Sequence, residues 1–349
     1  MHLSFSALHL KNREQRLVFN IMKRLSLSIL PVLIVAVAAI PAKSQTCQMR
    51  DEIPDQVRSA IESTAQRTFD QASRGDSNSL RASLAPLEQA NADSILSGVN
   101  DNKAAMEGAH PQLRTTFLLD TGANPSPDGR FYCGVFGANG LAANGAEFEI
   151  PGVPAGKYGV VIQDFIGNKG PYALTTIYQD SGGWKLAGFY VRPESAVGHD
   201  GIWYLKQARD FKSKGQKHNA WFYYLESWEL MAPVRFMETT LLGNIVKESN
   251  SVQPTDVPVA GKPVSYSANG KTYSITDISV FPTDKSFDLS IKYSVPSTAD
   301  FNSTVADARN LANAYVSQYP ELRDAFNNVW AHAIDPNGGD VAGLVTLKK

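Results

Sequence analysis

Reactive and metal-binding side chains are scarce in this sequence. Two cysteines and six histidines are spread over 349 residues, and two of the histidines, His2 and His9, stand at the extreme N-terminus. The other four, His110, His199, His218 and His332, show neither a two-histidine helical spacing nor a Cys/His pattern, so no zinc site is legible. His199-Asp200 lies between Pro193 and a helical stretch, where such a pair caps or turns the chain. There is no Gly-x-Ser-x-Gly elbow and no Ser-x-x-Lys set, which leaves nucleophilic catalysis without support. Gly134, Gly137, Gly140 and Gly145 fall in a Phe/Ala/Asn segment without the Lys-Ser/Thr that grips phosphates. No catalytic residue, metal or cofactor is expected from these residues.

A membrane-spanning run is missing as well. Leu25 to Ile40 is uncharged but interrupted by Pro31 and shorter than the ~20 residues a spanning helix needs. With Met22-Lys23-Arg24 before it and Pro41-Ala42-Lys43-Ser44 after it, the run reads as a secretory signal peptide, cleaved after Ser44 or, as second choice, after Ala42. Residues 1–21 then look like a spurious extension ahead of a start at Met22. Cys47 follows Ser44-Gln45-Thr46, which is not the context of a lipidated cysteine. A periplasmic or secreted protein is expected, with no stable membrane span once the signal is removed.

The exported part lacks a basic surplus. Loss of the six basic residues and one Glu of 1–44 leaves 27 basic against 33 acidic side chains, a net charge near −6, which argues against a nucleic-acid partner. Lys206, Arg209, Lys212, Lys214 and Lys217, interleaved with Asp210, read as a solvated helix face. Cys47 and Cys133 are both in the exported part, and an even count outside the cytosol predicts a disulfide between them.

What is present is enough for several cores. The chain exceeds the ~250–300 residues at which single cores divide, and 43% of it is hydrophobic. Helical spacing of Val57, Ile61, Ala65, Phe69 and Ala72, a break at Gly75-Asp76, and Leu80, Leu84 and Leu87 beyond it predict helix, turn, helix. Another helix is expected around Asn100 to Gly108. Short β-type runs follow at 117–119, 131–136, 148–150, 158–165, 172–179 and 184–191, the last two joined by the Asp180-Ser181-Gly182-Gly183 turn. Strict alternation in the last strand puts Trp184, Leu186, Gly188 and Tyr190 on one face and Lys185, Ala187, Phe189 and Val191 on the other.

The opening segment Phe69-Asp70-Gln71-Ala72-Ser73-Arg74-Gly75-Asp76 and the closing segment Gly182 to Val191 resemble the start and finish of a nuclear-transport-factor-two-like domain. That resemblance implies helices on a curved antiparallel sheet around a conical pocket. It would also allow an acid-base enzyme, with Asp164 moving a proton and Tyr132 stabilising an enolate. A competing resemblance, carried by Phe148 to Tyr158, is to transthyretin-like β-sandwich modules. The first accounts for helices and sheet together.

From 202 to 233 the chain turns helical and aromatic. Tyr204, Ala208, Phe211, Gly215, Ala220, Tyr224, Ser227 and Pro233 resemble the signature of a single tetratricopeptide repeat. One such unit must dock on its neighbours, because a free-standing array needs ~3 repeats. Tyr204, Phe211, Trp221, Tyr224 and Trp228 are the candidate binding residues, either as a peptide groove or as buried packing. Helical spacing continues through Phe236, Thr240, Leu241 and Ile245. Beyond the Pro-rich stretch, Asn269-Gly270 predicts a hairpin, 286–295 a strand, and Val305 to Tyr319 a helix capped from Asn302 or Ser303 and stopped by Pro320. Val329 to Ile334 and Val341 to Leu347 close the chain.

The expected organisation is therefore an α+β protein: signal peptide 1–44, an α+β domain 50–195, the tetratricopeptide-like hairpin and following helix 200–248, a linker 249–263 and a C-terminal α+β module 264–349. The expected function is an exported, non-enzymatic binding or adaptor protein acting on another envelope protein or a small apolar ligand. The alternative is a small-molecule carrier or a lyase/isomerase-type enzyme using the pocket of the first domain.

Overall fold

The computed structural model describes residues 45–136, 142–259 and 261–347. The expected signal peptide, Gly137 and Gly140 lie outside the described residues. The described chain is of the mixed α+β class and forms two compact units, one of 43–209 with 223–251 and one of 210–222 with 252–349.

The larger unit opens with strand β1 (Thr46–Met49), helices α1 (Asp55–Arg74), α2 (Ser77–Ser83) and α3 (Ala92–Met106), and strand β2 (Gln112–Asp120). Gly75, at φ 70°, ends α1 in the left-handed conformation, and the Asp76 carboxylate caps α2 by accepting from the Ser79 amide at 3.1 Å. Strands β3 (Arg130–Phe136), β4 (Ala142–Glu149), β5 (Lys157–Gly167), β6 (Gly170–Asp180) and β7 (Trp184–Pro193) follow. A two-residue pair, β8 (Ser195–Ala196) and β9 (His199–Asp200), leads into α4 (Gly201–Ser213) and α5 (Lys217–Met231), and β10 (Met237–Thr239) precedes α6 (Thr240–Asn250). Phe236 thus precedes a strand rather than continuing a helix. Thr239 caps α6 at the point where the helical spacing resumes.

The wholly antiparallel sheet β1-β2-β5-β6-β7 is the middle of three layers. Alternation along its strands sends Leu118, Val161, Leu174 and Tyr178 towards Ile61, Phe69, Leu80 and Leu96 of the helices. The intervening Phe117, Leu119, Val160, Ile162 and Ile177 pack with Phe131 and Phe148 of the second sheet, β10-β4-β3. The Cys47–Cys133 disulfide forms as expected, with Cα atoms 5.0 Å apart, and ties edge strand β1 of the middle sheet to β3 of the outer one.

Strict alternation fails in β7. Ile177 pairs with Gly188 but Tyr178 with Leu186, so Ala187 is an extra residue and β7 carries a bulge there. Phe189 and Val191 consequently join Trp184 and Leu186 against the helices, while Ala187 packs on the opposite side.

The smaller unit is built on a second five-stranded sheet, β11 (Val264–Ala268), β12 (Lys271–Pro282), β13 (Phe287–Ser294), β14 (Asn328–Ile334) and β15 (Asp340–Thr346), in that order. Asn269 and Gly270, at φ 51° and 74°, make the tight β11–β12 turn. Helix α7 (Phe301–Gln318) connects β13 to β14, the one parallel pair, as a crossover of that kind requires. Its cap is Asp300, two and three residues before the expected Asn302 or Ser303, because the Asp300 carboxylate reaches the Ser303 amide at 3.1 Å. Ala308, Leu311, Ala312 and Tyr315 form its buried stripe. Gly343 on β15 lets the α7 backbone approach, since a Cβ there would stand 2.5 Å from the Arg309 nitrogen. A short helix, α8 (Leu322–Ala325), follows Pro320.

Candidate binding groove

The five aromatic residues singled out in the helical hairpin are all between 0 and 6% exposed. In the larger unit the Tyr204 hydroxyl donates to the Ala196 carbonyl at 3.1 Å, and burial drives its pKa far upward. The Tyr224 hydroxyl donates to Glu248 at 2.9 Å, and Arg209 grips the same carboxylate with two bonds of 2.9 and 2.7 Å. In the smaller unit Trp221 packs edge-on to Phe222 and Lys214 sits over the Phe211 ring. Within its own unit each of these side chains is turned inward.

Asp164 and Tyr132 stand on separate sheets. Asp164, on β5, is ion-paired to Arg114, which also holds Glu194. Tyr132, on β3, is exposed and hydrogen-bonded to Arg130. The layer between helices and middle sheet is filled by side chains such as Phe69, Phe165 and Tyr178, with the Phe69 and Phe165 rings 5.3 Å apart edge to face. Asp200 caps α4 by accepting from the Trp203 amide at 2.8 Å, and His199 stacks on Trp203.

In the smaller unit a polar cluster gathers on His218, which is buried. Its Nε2 lies 3.0 Å from both oxygens of Asp256, and Asp256 also accepts from the Tyr315 hydroxyl at 3.2 Å. Burial works against ionisation of Asp256, yet the hydrogen bond and charge of His218 prevail and hold its carboxyl below the ordinary value. Every group here is already engaged, which is the signature of a tie between α5, the 252–258 stretch and α7. Among the described residues no cluster of three or more His, Cys, Asp or Glu is placed to hold a metal.

An open concave surface of the larger unit lies along β7. The middle sheet ends at this strand, and the described residues add no further strand to it. Its outer edge is met first by Leu84, in a parallel bridge with Leu186, and the Ala85 amide donates to the Leu186 carbonyl at 2.8 Å. Pro86 then turns the chain into a 3-10 helix (Pro86–Asn91), so this pairing stops and the stretch from Gly188 to Arg192 is left beside a groove.

Two adjoining hollows of about 300 and 340 Å³ make up the groove and share Gly98, Phe189 and Tyr190. One wall is the α3 face carrying Ser94, Ile95, Gly98 and Asn102. The other is Val234, Arg235 and Phe236. Tyr190 is 40% exposed and meets Phe236 edge to face at 5.3 Å. Glu88 stands at one end and raises the Tyr190 pKa in addition to the effect of burial. At the other end Arg192 and Arg235 share Glu229, at 2.5 and 2.8 Å. Glu226, 4% exposed, is pushed up to about 8 by burial and by Glu229, against the pull of Arg192, so it carries a proton at neutral pH.

Gly98 is the residue that sequence reasoning missed. It stands in the middle of α3, where glycine weakens a helix by ~1 kcal/mol relative to Ala. Nothing lies within 4 Å of the position of its absent Cβ, so packing does not require it. A lone glycine inside a helical stretch was the available signal. Comparison with protein-family models, with curated proteins and with solved structures finds no match for this chain.

Proposed function

We propose that this chain is an exported, non-enzymatic binding or adaptor protein whose partner surface is the groove between α3, β7 and 234–236. The supporting observation is Gly98: a helix-weakening residue that no packing contact requires sits where any side chain would fill the groove. The groove also has the composition of a recognition surface, with an apolar floor in Phe189, Tyr190 and Phe236 and polar groups at its ends. Export rests on the signal-like run and on the cysteine pair, whose disulfide belongs to oxidising compartments. In that setting the nuclear-transport-factor-two-like helices and sheet serve as a rigid platform, and the tetratricopeptide-like hairpin as packing. The carrier or lyase/isomerase alternative gains no support from the filled helix–sheet interior.

Native mass spectrometry of the chain captured from an envelope extract, wild type beside Gly98→Leu, tests the reading. A stoichiometric companion held by the wild type and lost by the variant is expected. A companion retained in full by Gly98→Leu moves the binding surface elsewhere on the molecule.

A further inference from the structure

The floor of this groove is not an ordinary apolar surface, because it includes the last strand of a sheet. Leu84 and Ala85 show that the outer edge of β7 accepts a neighbouring chain, and they do so with backbone hydrogen bonding at Leu186. Pro86 lacks an amide hydrogen and leads the chain away, so pairing is begun and then abandoned along the strand. An unpaired edge is a template for another chain, which proteins ordinarily blunt with charge, proline or a covering element. Here a proline diverts the covering element, and Gly98 keeps the opposite wall low.

The bulge at Ala187 fixes which side chains a guest strand would meet. Phe189 and Val191 turn inward to the helices, leaving Tyr190 with Phe236 at the outer side. The ends of the groove differ in charge along the strand direction. Glu88 stands near the Ala187 end, and Arg192 with Arg235 near the other. There the two guanidinium groups of Arg192 and Arg235 bracket the single carboxylate of Glu229.

Resting on the binding reading above, we infer that the groove takes an extended peptide segment as an added antiparallel strand on β7, acidic in its N-terminal half and basic in its C-terminal half. Antiparallel addition continues the pattern of every pair of named strands in this sheet, the isolated Leu84–Leu186 bridge being parallel. It places the guest's N-terminal half against Arg192 and Arg235 and its C-terminal half against Glu88. Backbone hydrogen bonds supply the attraction, and alternate guest side chains reach the Tyr190–Phe236 surface. A guest strand needs only a narrow slot, which two hollows of this size in line provide.

The probe is a peptide of about nine residues, the length of an ordinary strand. It has two Asp at its N-terminal end, alternating Thr and Val in the middle and two Lys at its C-terminal end. Its charge-reversed isomer and a copy N-methylated at alternate residues are the controls. Amide chemical shifts of the exported chain are followed during titration. The expected result is perturbation confined to Gly188–Arg192, α3 and 234–236, with the probe binding ~10-fold tighter than its isomer, since each cross-strand ion pair favours one order and opposes the other. N-methylation is expected to abolish binding, Gly98→Leu to weaken it at least ~10-fold at a melting temperature no lower than wild type, and Arg235→Glu to erase the preference for charge order.

Unperturbed β7 amides at about 1 mM probe, the weak limit for a specific contact, overturn the inference. So does equal binding of the N-methylated copy, which would mean side-chain contact without strand pairing, or tighter binding of the isomer, which would mean parallel docking. Self-association that disappears in Gly98→Leu assigns the edge to a second copy instead. If the peptides fail while Gly98→Leu still loses its companion from the extract, strand addition falls and the groove reading stands.

Discussion

The helical hairpin of α4 and α5 and the edge strand β7 relate aromatic content to exposure in opposite ways. The hairpin is dense in Tyr, Phe and Trp, and its named aromatics are buried; β7 has three large aromatics, of which Tyr190 is left in the open. The difference follows from geometry. Helices pack closely wherever small residues allow it, and Ala208 and Ala220 are both fully buried, so aromatic rings near such positions become core. A sheet has an end, and what stands on its last strand is covered only if another element reaches it. Aromatic density is therefore a poor guide to a binding surface, and the last strand of a sheet a better one.

The largest effect expected to sharpen that contrast is on stability. Trp228→Ala, which empties a buried site, should lower the unfolding free energy by ~3–5 kcal/mol in urea titration. Tyr190→Ala should stay within about 1 kcal/mol of wild type, as exposed substitutions do, while removing the companion of the groove. A Trp228→Ala protein of unaltered stability would return the hairpin aromatics to the list of binding residues.

The two edges of the middle sheet differ in the same sense, since β1 is closed by the disulfide and β7 is not. The bond spans a sequence separation of 86, and breaking it by Cys47→Ala with Cys133→Ala should destabilise the chain by ~2–5 kcal/mol. Partner binding below the melting transition should be unchanged, measured by titration at a temperature where both proteins are folded. Loss of binding in the still-folded double variant would mean that the far edge positions the groove.

Much of this was legible in the sequence, and the exceptions have identifiable causes. The helix break at Gly75-Asp76, the Asn269-Gly270 hairpin and the disulfide are local or binary signals, written in few residues. The bulge at Ala187 was not, because it depends on what β6 offers opposite, and it reversed the faces of Phe189 and Val191. The cap at Asp300 was displaced for a similar reason: Asp, Asn and Ser in the same turn are all competent, and side-chain geometry decides among them. The candidate groove was invisible because its walls come from residues near 90, 190 and 235. Only Gly98 carried a local mark of it.

Charge distinguishes the basic end of the groove from the tied clusters elsewhere. Glu226 has its carboxyl pKa raised from 4.5 to about 8 in the folded chain. The native state therefore binds a proton that the unfolded state has released, and stability falls as pH rises from about 4.5 through 8, where the loss levels off. Glu226→Gln removes the ionisable group, so thermal unfolding of the variant should show a flatter pH profile in that window and a gain of a few kcal/mol above pH 8. Asp256, with its depressed pKa, has the opposite sign: its contribution is present above the ordinary Asp range and disappears as pH falls through its lower folded value. A variant that follows wild type across pH 5 to 9 would mean that Glu226 is ionised throughout.

The smallest effect bears most directly on why the groove is open. Gly98 lies within α3, four residues after Ser94 and four before Asn102, so all three share the helix face that lines the groove. If packing demanded glycine there, Gly98→Ala would clash; the space around the missing Cβ is empty, so the substitution meets only the backbone's preference for Ala. Gly98→Ala should therefore raise the unfolding free energy by ~0.5–1 kcal/mol, through less entropy in the unfolded chain and better helix propensity. Binding should weaken in the order Ala, then Leu, as the wall rises into the slot. Gains in stability paired with losses in binding along that series would identify Gly98 as a residue kept for access rather than for the fold. A Gly98→Ala protein less stable than wild type would instead mean that α3 needs the glycine for its own geometry, and the openness of β7 would then be incidental to it.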